Sequence, residues 1–295
     1  MPDSVLARLE ASFVVRPDPR GVAGVVTIPA DVVDEAFLDM CGPELRVVAN
    51  FGVGYDSVHI AAATERGIVV TNTPDVLTGA TAELTFALLL ALVRRVAEGD
   101  RLIRRRGDWG LAPTFMLGHG LEGKTLGVIG LGRIGREVAR LGEAFGMRVV
   151  HTRGSGPYED LPMEELLAQA DVVTLHVPLT AETRHLIGRD ELERMRPAAV
   201  LVNVARGPIV DEEALVRALE VGAIAGAALD VFEDEPHVHP GLLARENVVL
   251  TPHLGSATLE AREAMGVLCA EALEAVLLQH RLPPTAVNPE ALNVE

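Results

Sequence analysis

Positive charge is scarce in this chain. There are 26 Lys and Arg against 42 Asp and Glu, a formal net charge of −16, and Lys124 is the single lysine. So negative a chain repels nucleic acid and anionic membranes, and neither is expected as a partner. An anionic ligand would need a local positive site. Cysteine is nearly missing as well. Cys41 and Cys269 stand far apart in apolar contexts, which reads as two buried thiols rather than a disulfide framework or a metal centre. No stretch approaches the roughly 18 uninterrupted apolar residues of a membrane span. The opening MPDSVLARLE lacks the basic-then-apolar layout of a signal peptide, so a cytoplasmic protein is expected. Internal repeats and low-complexity tracts are absent from the sequence.

What is present is ample apolar material, 48% of 295 residues, enough for two cores of ordinary size. Short apolar runs alternate with helical stretches, the pattern of a parallel sheet covered by helices on both faces. Strands are expected at 13–15, 22–27, 47–50 and 68–71, then at 125–129, 149–151, 172–176, 199–203, 226–230 and 248–250. Between the two sets lies one long helical pattern, about 79–106, ending in a basic run. It is followed by 107–120, whose glycines, Pro113 and Trp109 suggest an extended arm. A last helix at 259–280 is long enough to return to the first set of strands. The expected division is therefore 1–74 with 256–295 as a discontinuous domain, and 75–255 as a second domain carrying an arm at about 101–121.

The most specific motif is TLGVIGLGRIG at 125–135, an apolar strand running into Gly130-x-Gly132-x-x-Gly135 and then into a helix. In that context Gly130 permits a tight turn, Gly132 lets the backbone approach a pyrophosphate, and Gly135 lets helix and strand pack closely. The helix start offers unpaired N–H groups to the phosphates. This is a dinucleotide site. An acid about 20 residues further on would hold a ribose 2′-hydroxyl. Here the strand ending at His151 is followed by Thr152-Arg153-Gly154-Ser155, with no acid before Glu159. Arg153, with Thr152 and Ser155, suits a 2′-phosphate, so NADPH is expected to be preferred, with NADH possible. Read alone, Arg153 is equally a solvated loop residue on an enzyme that takes either.

Ligands of such sheets bind beyond the carboxyl ends of the strands. Three segments lie there: Arg206 in NVARG, Glu235 in DVFEDEP and His253 in TPHLGS. An arginine can grip a carboxylate with two parallel bonds, and a histidine can exchange a proton near neutral pH. A neighbouring carboxylate orients the imidazole and raises its pKa. Together they suit reduction of a 2-oxo acid. Taken singly, Glu235 reads as a solvated acid in the run 233–235 and His253 as an ordinary loop histidine. His237-x-His239, without a third ligand, reads as surface rather than metal.

At these residues the chain resembles the D-isomer-specific 2-hydroxyacid dehydrogenase family. The resemblance rests on GLGRIG at 130–135, LVNVARGPIVDEEAL at 201–215, GAALDVFEDEP at 226–236 and TPHLGSAT at 251–258. Within it, NFGVGYD, TPDVLT and LPPTAVNPE look most like the glyoxylate and hydroxypyruvate reductases. The resemblance implies an α/β architecture: a Rossmann-type doubly wound parallel sheet domain plus a smaller flavodoxin-like α/β substrate domain. It implies Arg206 on the substrate carboxylate, His253 as the acid and Glu235 as its partner. Gly52, Val53, Gly54 and Ser256 are implied at the substrate. Arg133 and Ile134 are implied along the pyrophosphate, Pro178 and Thr183 beside the adenosine, and Val204, Asp230 and Gly255 at the nicotinamide. A homodimer joined by the arm is also implied, with Phe115 reaching the partner's site.

The family pattern is not matched at the start. Relatives have one further strand ahead of the segment 2–10, so the substrate domain is expected to be N-terminally shortened, with a recorded start internal to a longer protein. Six residues separate 15 from 22, where a parallel crossover needs a dozen or more. Two other readings stay open at this point. One is a related dehydrogenase acting on 3-phosphoglycerate, phosphite or formate. The other is a dinucleotide-sensing regulator resembling corepressors of the same family.

Overall fold

The computed structural model describes residues 1–293. The expected stretch 256–295 ends in Val294 and Glu295, which lie outside the described residues. The chain divides into two compact units, Met1–Thr78 with the segment from Ser256 onward, and Gly79–Gly255.

The first unit is built on β1 (Gly24–Thr27), β2 (Val47–Asn50) and β3 (Val69–Thr71), parallel and in that spatial order. Every residue of β2 and β3 is buried, which is why these runs show no polar alternation. The helices Glu35–Cys41 and Ile60–Glu65 make the crossovers, and the helix Leu259–Leu277 packs on β2. That helix stops short of the expected 280 because the chain folds back there, with His280 in left-handed backbone at φ 49°. The first helix, Asp3–Ser12, buries Val5 and Leu9 against the last, where Arg8 grips Glu274 with two bonds of 2.9 and 2.7 Å. Asn288, fully buried, receives the Val70 N–H at 2.7 Å and donates to Ile68 O and Thr64 Oγ1.

The strand expected at 13–15 does not form. Val14 is 95% exposed: this short apolar run has no neighbouring strand to pair with, and its polar backbone stays in water. The crossover difficulty between 15 and 22 disappears with it, since these residues are an irregular link from the first helix to β1.

The second unit holds β4 (Thr125–Leu131), β5 (Arg148–Gly154), β6 (Glu159–Asp160), β7 (Val172–Leu175), β8 (Val200–Asn203), β9 (Gly226–Leu229) and β10 (Val248–Leu250). The sheet is parallel throughout, in the order β10-β9-β8-β7-β4-β5-β6. The chain leaves β4 in one direction to β5 and β6, then crosses back to β7. The reversal point therefore lies between β4 and β7. Two cores cover the faces, one around Leu166, Leu175, Leu192 and Leu201, the other around Phe86, Leu89, Leu126 and Val128.

Three expectations need correction here. The single helix at 79–106 is two, Thr78–Val93 and Val96–Arg104, broken where Arg95 turns left-handed at φ 55° and pairs with Glu98. The second piece buries none of its residues and leads into the arm. In the helix Arg133–Ala144 the spacing of Ile134, Val138, Leu141 and Phe145 predicts the core face; Val138 is buried and Ile134 and Leu141 pack partly buried on the core, but Gly135, Ala139 and Gly142 lie deeper and Phe145 is exposed. Small residues win because the helix lies so close to the sheet that a Cβ on Gly142 would come within 2.6 Å of Leu126; Phe145 stacks on Phe86 instead, centroids 5.0 Å apart. Finally, β5 runs on to Gly154, so Arg153 belongs to the strand, at φ 59°. Among the described residues no helix is long and apolar enough to cross a membrane.

Candidate active site

At the reversal point of the second sheet the structure opens a cleft of about 590 Å³, lined by the ends of β4, β5 and β7. That is the position at which doubly wound sheets bind ligands. Gly130 carries φ 99°, and a Cβ there would meet the His176 backbone at 2.7 Å. On Gly135 it would strike Gly130 O at 2.1 Å. On Gly132, by contrast, it would meet nothing within 4 Å, so this glycine of the cleft wall leaves room for a bulky group against the backbone. The N–H groups of the first helical turn follow directly. The cleft thus fits a dinucleotide pyrophosphate.

Gly130, Gly132, Arg153, Pro178 and Thr183 line this cleft. Arg133, Ile134 and Gly135 sit on the adjoining helix turn without forming its wall, while Val204, Asp230 and Gly255 follow β8, β9 and β10. Thr152 is buried in β5 and does not line the cleft, so its expected bond to a 2′-phosphate falls away. Thr183 spends its hydroxyl on Pro178 O at 2.6 Å and on the Thr180 N–H at 2.8 Å, fixing the turn it lies in.

Past β8, Asn203 folds the chain into a tight turn, accepting the Ala205 N–H at 3.1 Å and donating to Arg206 O at 2.8 Å. The turn carries Arg206, whose Nη1 donates to Ala205 O at 2.8 Å. Past β9, the fully buried Asp230 receives Thr251 Oγ1 (2.6 Å) and Leu254 N–H (2.7 Å) on one oxygen and Gly255 N–H (2.8 Å) on the other. Its backbone oxygen takes the His253 N–H at 2.8 Å. Asp230 therefore shapes the turn that presents His253, which adopts φ 54°, a conformation non-glycine residues take only when their surroundings enforce it. Burial pushes the Asp230 carboxyl up, against the pull of these donors.

The imidazole so presented meets Glu235: Nδ1 lies 2.8 Å from Oε2, and both side chains are about one-third exposed, 36% and 32%. Burial opposes the charge on Glu235, yet the bond to His253, the imidazole charge, the Phe232 N–H and nearby Arg206 together hold its carboxyl below the usual range. With Nδ1 committed to Glu235, Nε2 is the nitrogen able to hand on a proton. The structure thus brings Arg206, Glu235 and His253 together; His237 and His239 stay apart from them, and no metal-holding cluster exists among the described residues.

In the first unit, Asn50 Nδ2 donates to Gly52 O (3.1 Å) and Gly54 O (2.8 Å), and Asn72 Nδ2 to Val53 O (2.9 Å). These asparagines freeze the turn at 52–54. One of its expected donors is already used, because Gly52 N–H binds Asn50 O at 2.9 Å. The amides of Val53 and Gly54 remain as the turn's donors. Ser256 lies in this unit, where its backbone oxygen takes the Thr258 N–H just before the last helix.

The sequence reading missed four groups of the cleft: Arg136, His176, Thr180 and Glu182. Arg136 Nη2 holds Ser155 O at 2.9 Å, and lies one turn along the helix that the glycine motif opens. Burial pushes the His176 imidazole down to about 3, so it stays neutral, bonded to Thr174 Oγ1 at 2.9 Å. The position of both, within three residues of a strand end or a glycine loop, was the available signal.

Known proteins with this arrangement exist. The family model for the NAD binding domain of D-isomer specific 2-hydroxyacid dehydrogenases matches residues 86–255. A glyoxylate reductase of Thermococcus gammatolerans is 50% identical over 289 residues, 94% of this chain and 86% of its own. A Thermus thermophilus protein of known crystal structure superposes with a TM-score of 0.91 at 44% identity, covering 97% of each chain. The NADPH-dependent glyoxylate/hydroxypyruvate reductase of Sinorhizobium meliloti, solved with NADP and malonate, gives 0.86 at 38% identity, over 98% of this chain and 95% of its own. The chain belongs to the D-isomer specific 2-hydroxyacid dehydrogenases, oxidoreductases that work with a nicotinamide dinucleotide.

Proposed function

We propose that this chain reduces glyoxylate or hydroxypyruvate to the corresponding 2-hydroxy acid, with NADPH preferred and NADH accepted. The observation that carries the reading is the Glu235–His253 pair beside Arg206 at the ends of three adjacent strands. Relatives named glyoxylate reductase, 50% identical in the first case, support the substrate class. Arg206 binds the substrate carboxylate and polarises the adjoining carbonyl. His253 gives the Nε2 proton to the carbonyl oxygen as C2 accepts hydride, and Glu235 stabilises the imidazolium that precedes the transfer. The bound nicotinamide supplies that hydride. In the other unit, the Val53 and Gly54 amides suit an anion, as the resemblance implies for a carboxylate.

Cofactor choice rests on Arg153 at the end of β5, with Arg136 on the same wall and no acid at the position that would repel a 2′-phosphate. Glu182 tempers this preference, for it lies on the same cleft, its carboxyl held down chiefly by the bond to Thr180 Oγ1 and to a smaller degree by the Arg153 charge. Loss of absorbance at 340 nm with glyoxylate and hydroxypyruvate, each with NADPH and NADH, tests both points. Arg153→Ala is expected to reduce the NADPH-to-NADH ratio of kcat/KM by about 10-fold, the scale of one charge-assisted bond. No turnover with either acid would defeat the proposed activity; an unchanged ratio would defeat the role of Arg153.

The arm supports a homodimer. Ile103, Trp109, Leu111, Phe115 and Leu117 are all exposed, Leu111 at 93%, large apolar side chains close together in sequence that a partner surface would cover. Light scattering after size exclusion is expected to give twice the 31.4 kDa chain mass, and Trp109→Glu with Leu111→Glu to give the monomer. A wild-type monomer at micromolar concentration would rule this out.

A further inference from the structure

Glu212 opens the helix Glu212–Val221, where an acid ordinarily faces water and complements the helix dipole. This one is only 6% exposed. It reaches across to the segment after β9 and receives the Glu233 N–H at 2.8 Å. The backbone N–H of His239 also bears on it. The segment between those two amides carries Glu235. On its other side the peptide after Phe232 presses against Gly207, where a Cβ would come within 1.9 Å of it. Glu235 itself ties back to this peptide, taking the Phe232 N–H at 3.1 Å on Oε1 while Oε2 holds His253. The turn is thus gripped between Gly207 and Glu212, and the carboxylate that orients His253 hangs from it.

We propose that Glu212 is a positioning residue for the reduction: its buried carboxylate fixes the turn 232–235 so that Glu235 stays aligned on Nδ1 of His253. The inference rests on the proposed roles of Glu235 and His253. Burial pushes the Glu212 carboxyl up, the neighbouring charge of Glu233 adding to this, while the Glu233 and His239 amides pull it down. Around it, Glu233 is bonded to His185 and His239 to Glu213, so the charges facing the site are accounted for within one cluster. Those facing the Glu235–His253 pair are Arg206 and Asp230.

Glu212→Gln keeps one acceptor for Glu233 N–H but turns an amide donor toward the other partner. With NADPH and glyoxylate its kcat is expected to fall about 10-fold, as for loss of one charge-assisted bond. KM for both reactants should stay within about twofold, and the acid limb of the kcat/KM profile should move toward higher pH, because a misaligned Glu235 loses part of the bond to His253 that holds its carboxyl down. In the double variant Glu212→Gln/Glu235→Gln the first change should add almost nothing, because both act through one contact. A merely structural role would leave the limb in place and give additive losses, and either result would overturn the inference. Should Glu212→Gln not fold, Glu212→Asp retains the charge and shortens the reach by one methylene. A displaced limb with an unchanged melting temperature there supports the inference, and a wild-type profile refutes it. If Glu235→Gln and His253→Ala are themselves fully active, the underlying roles fail and the inference with them. If those two lose activity while Glu212→Gln equals wild type, the inference alone fails.

Discussion

His253→Ala is expected to lower kcat for glyoxylate reduction by about 10²–10⁴-fold, the usual worth of a positioned proton donor, while NADPH binding, read by calorimetry, stays within about twofold. The dinucleotide cleft and the histidine turn share no lining residue, which is why the two effects should separate. The pH dependence has a definite sign. Reduction consumes the imidazole proton, and the Glu235 carboxylate is the group that orients the imidazole for its transfer. On the acid side Glu235 is held below its ordinary range, so the pair survives to lower pH than an ordinary carboxylate would allow. Glu235→Gln removes the titrating carboxylate, and the acid limb that it sets should disappear. Full activity of His253→Ala would remove the acid from the mechanism.

The second large effect belongs to Arg206. Arg206→Gln should reduce kcat/KM by about 10²–10³-fold, because a guanidinium offers a carboxylate two parallel charge-assisted bonds and an amide offers neither the charge nor the fork. Arg206→Lys restores charge without geometry and should recover only part of it. The discriminating control is the lost Arg206 contribution to Glu235: with that charge gone, the acid limb should shift upward in Arg206→Gln and not in Arg206→Lys. A loss confined to NADPH binding would place Arg206 elsewhere.

The parts of this molecule that were legible from sequence are those where local chemistry and tertiary need coincide. The strands β2 and β10 keep the expected bounds, and β2, buried throughout, shows the near-continuous apolar run that a parallel strand covered on both faces requires. The glycine loop was legible for the same reason: steric exclusion at Gly130 and Gly135 leaves no other residue type. Illegible features depend on distant partners. Nothing local to Phe13 and Val15 says that no strand edge awaits them. Nothing near Arg95 marks a helix break, because an arginine pair is a good helix former and the left-handed residue is imposed by the packing around it. The spacing of Ile134, Val138, Leu141 and Phe145 marked the helix face, but the close approach of helix to sheet gives its deepest positions to glycine and alanine and leaves Phe145 outside.

Site residues followed the same division. Arg206, Glu235 and His253 stood out once strand ends were located. Asn50 and Asn72 did not, because their work is to satisfy backbone groups of the turn at 52–54, and such an amide has no sequence signature of its own.

The grip of Arg8 on Glu274, and of Asn288 on β3, bears on the order in which the nascent chain can fold. β1, β2 and β3 leave the ribosome early, yet the helix that covers β2 is made only after all of Gly79–Gly255. At ordinary synthesis rates that interval is on the order of ten to thirty seconds. Throughout it the apolar face of the first unit lacks its cover, and by its end the inserted unit holds every strand of its own sheet. The inserted unit can therefore complete first, and the earliest-made strands wait longest, making them the stretch most in need of chaperone protection.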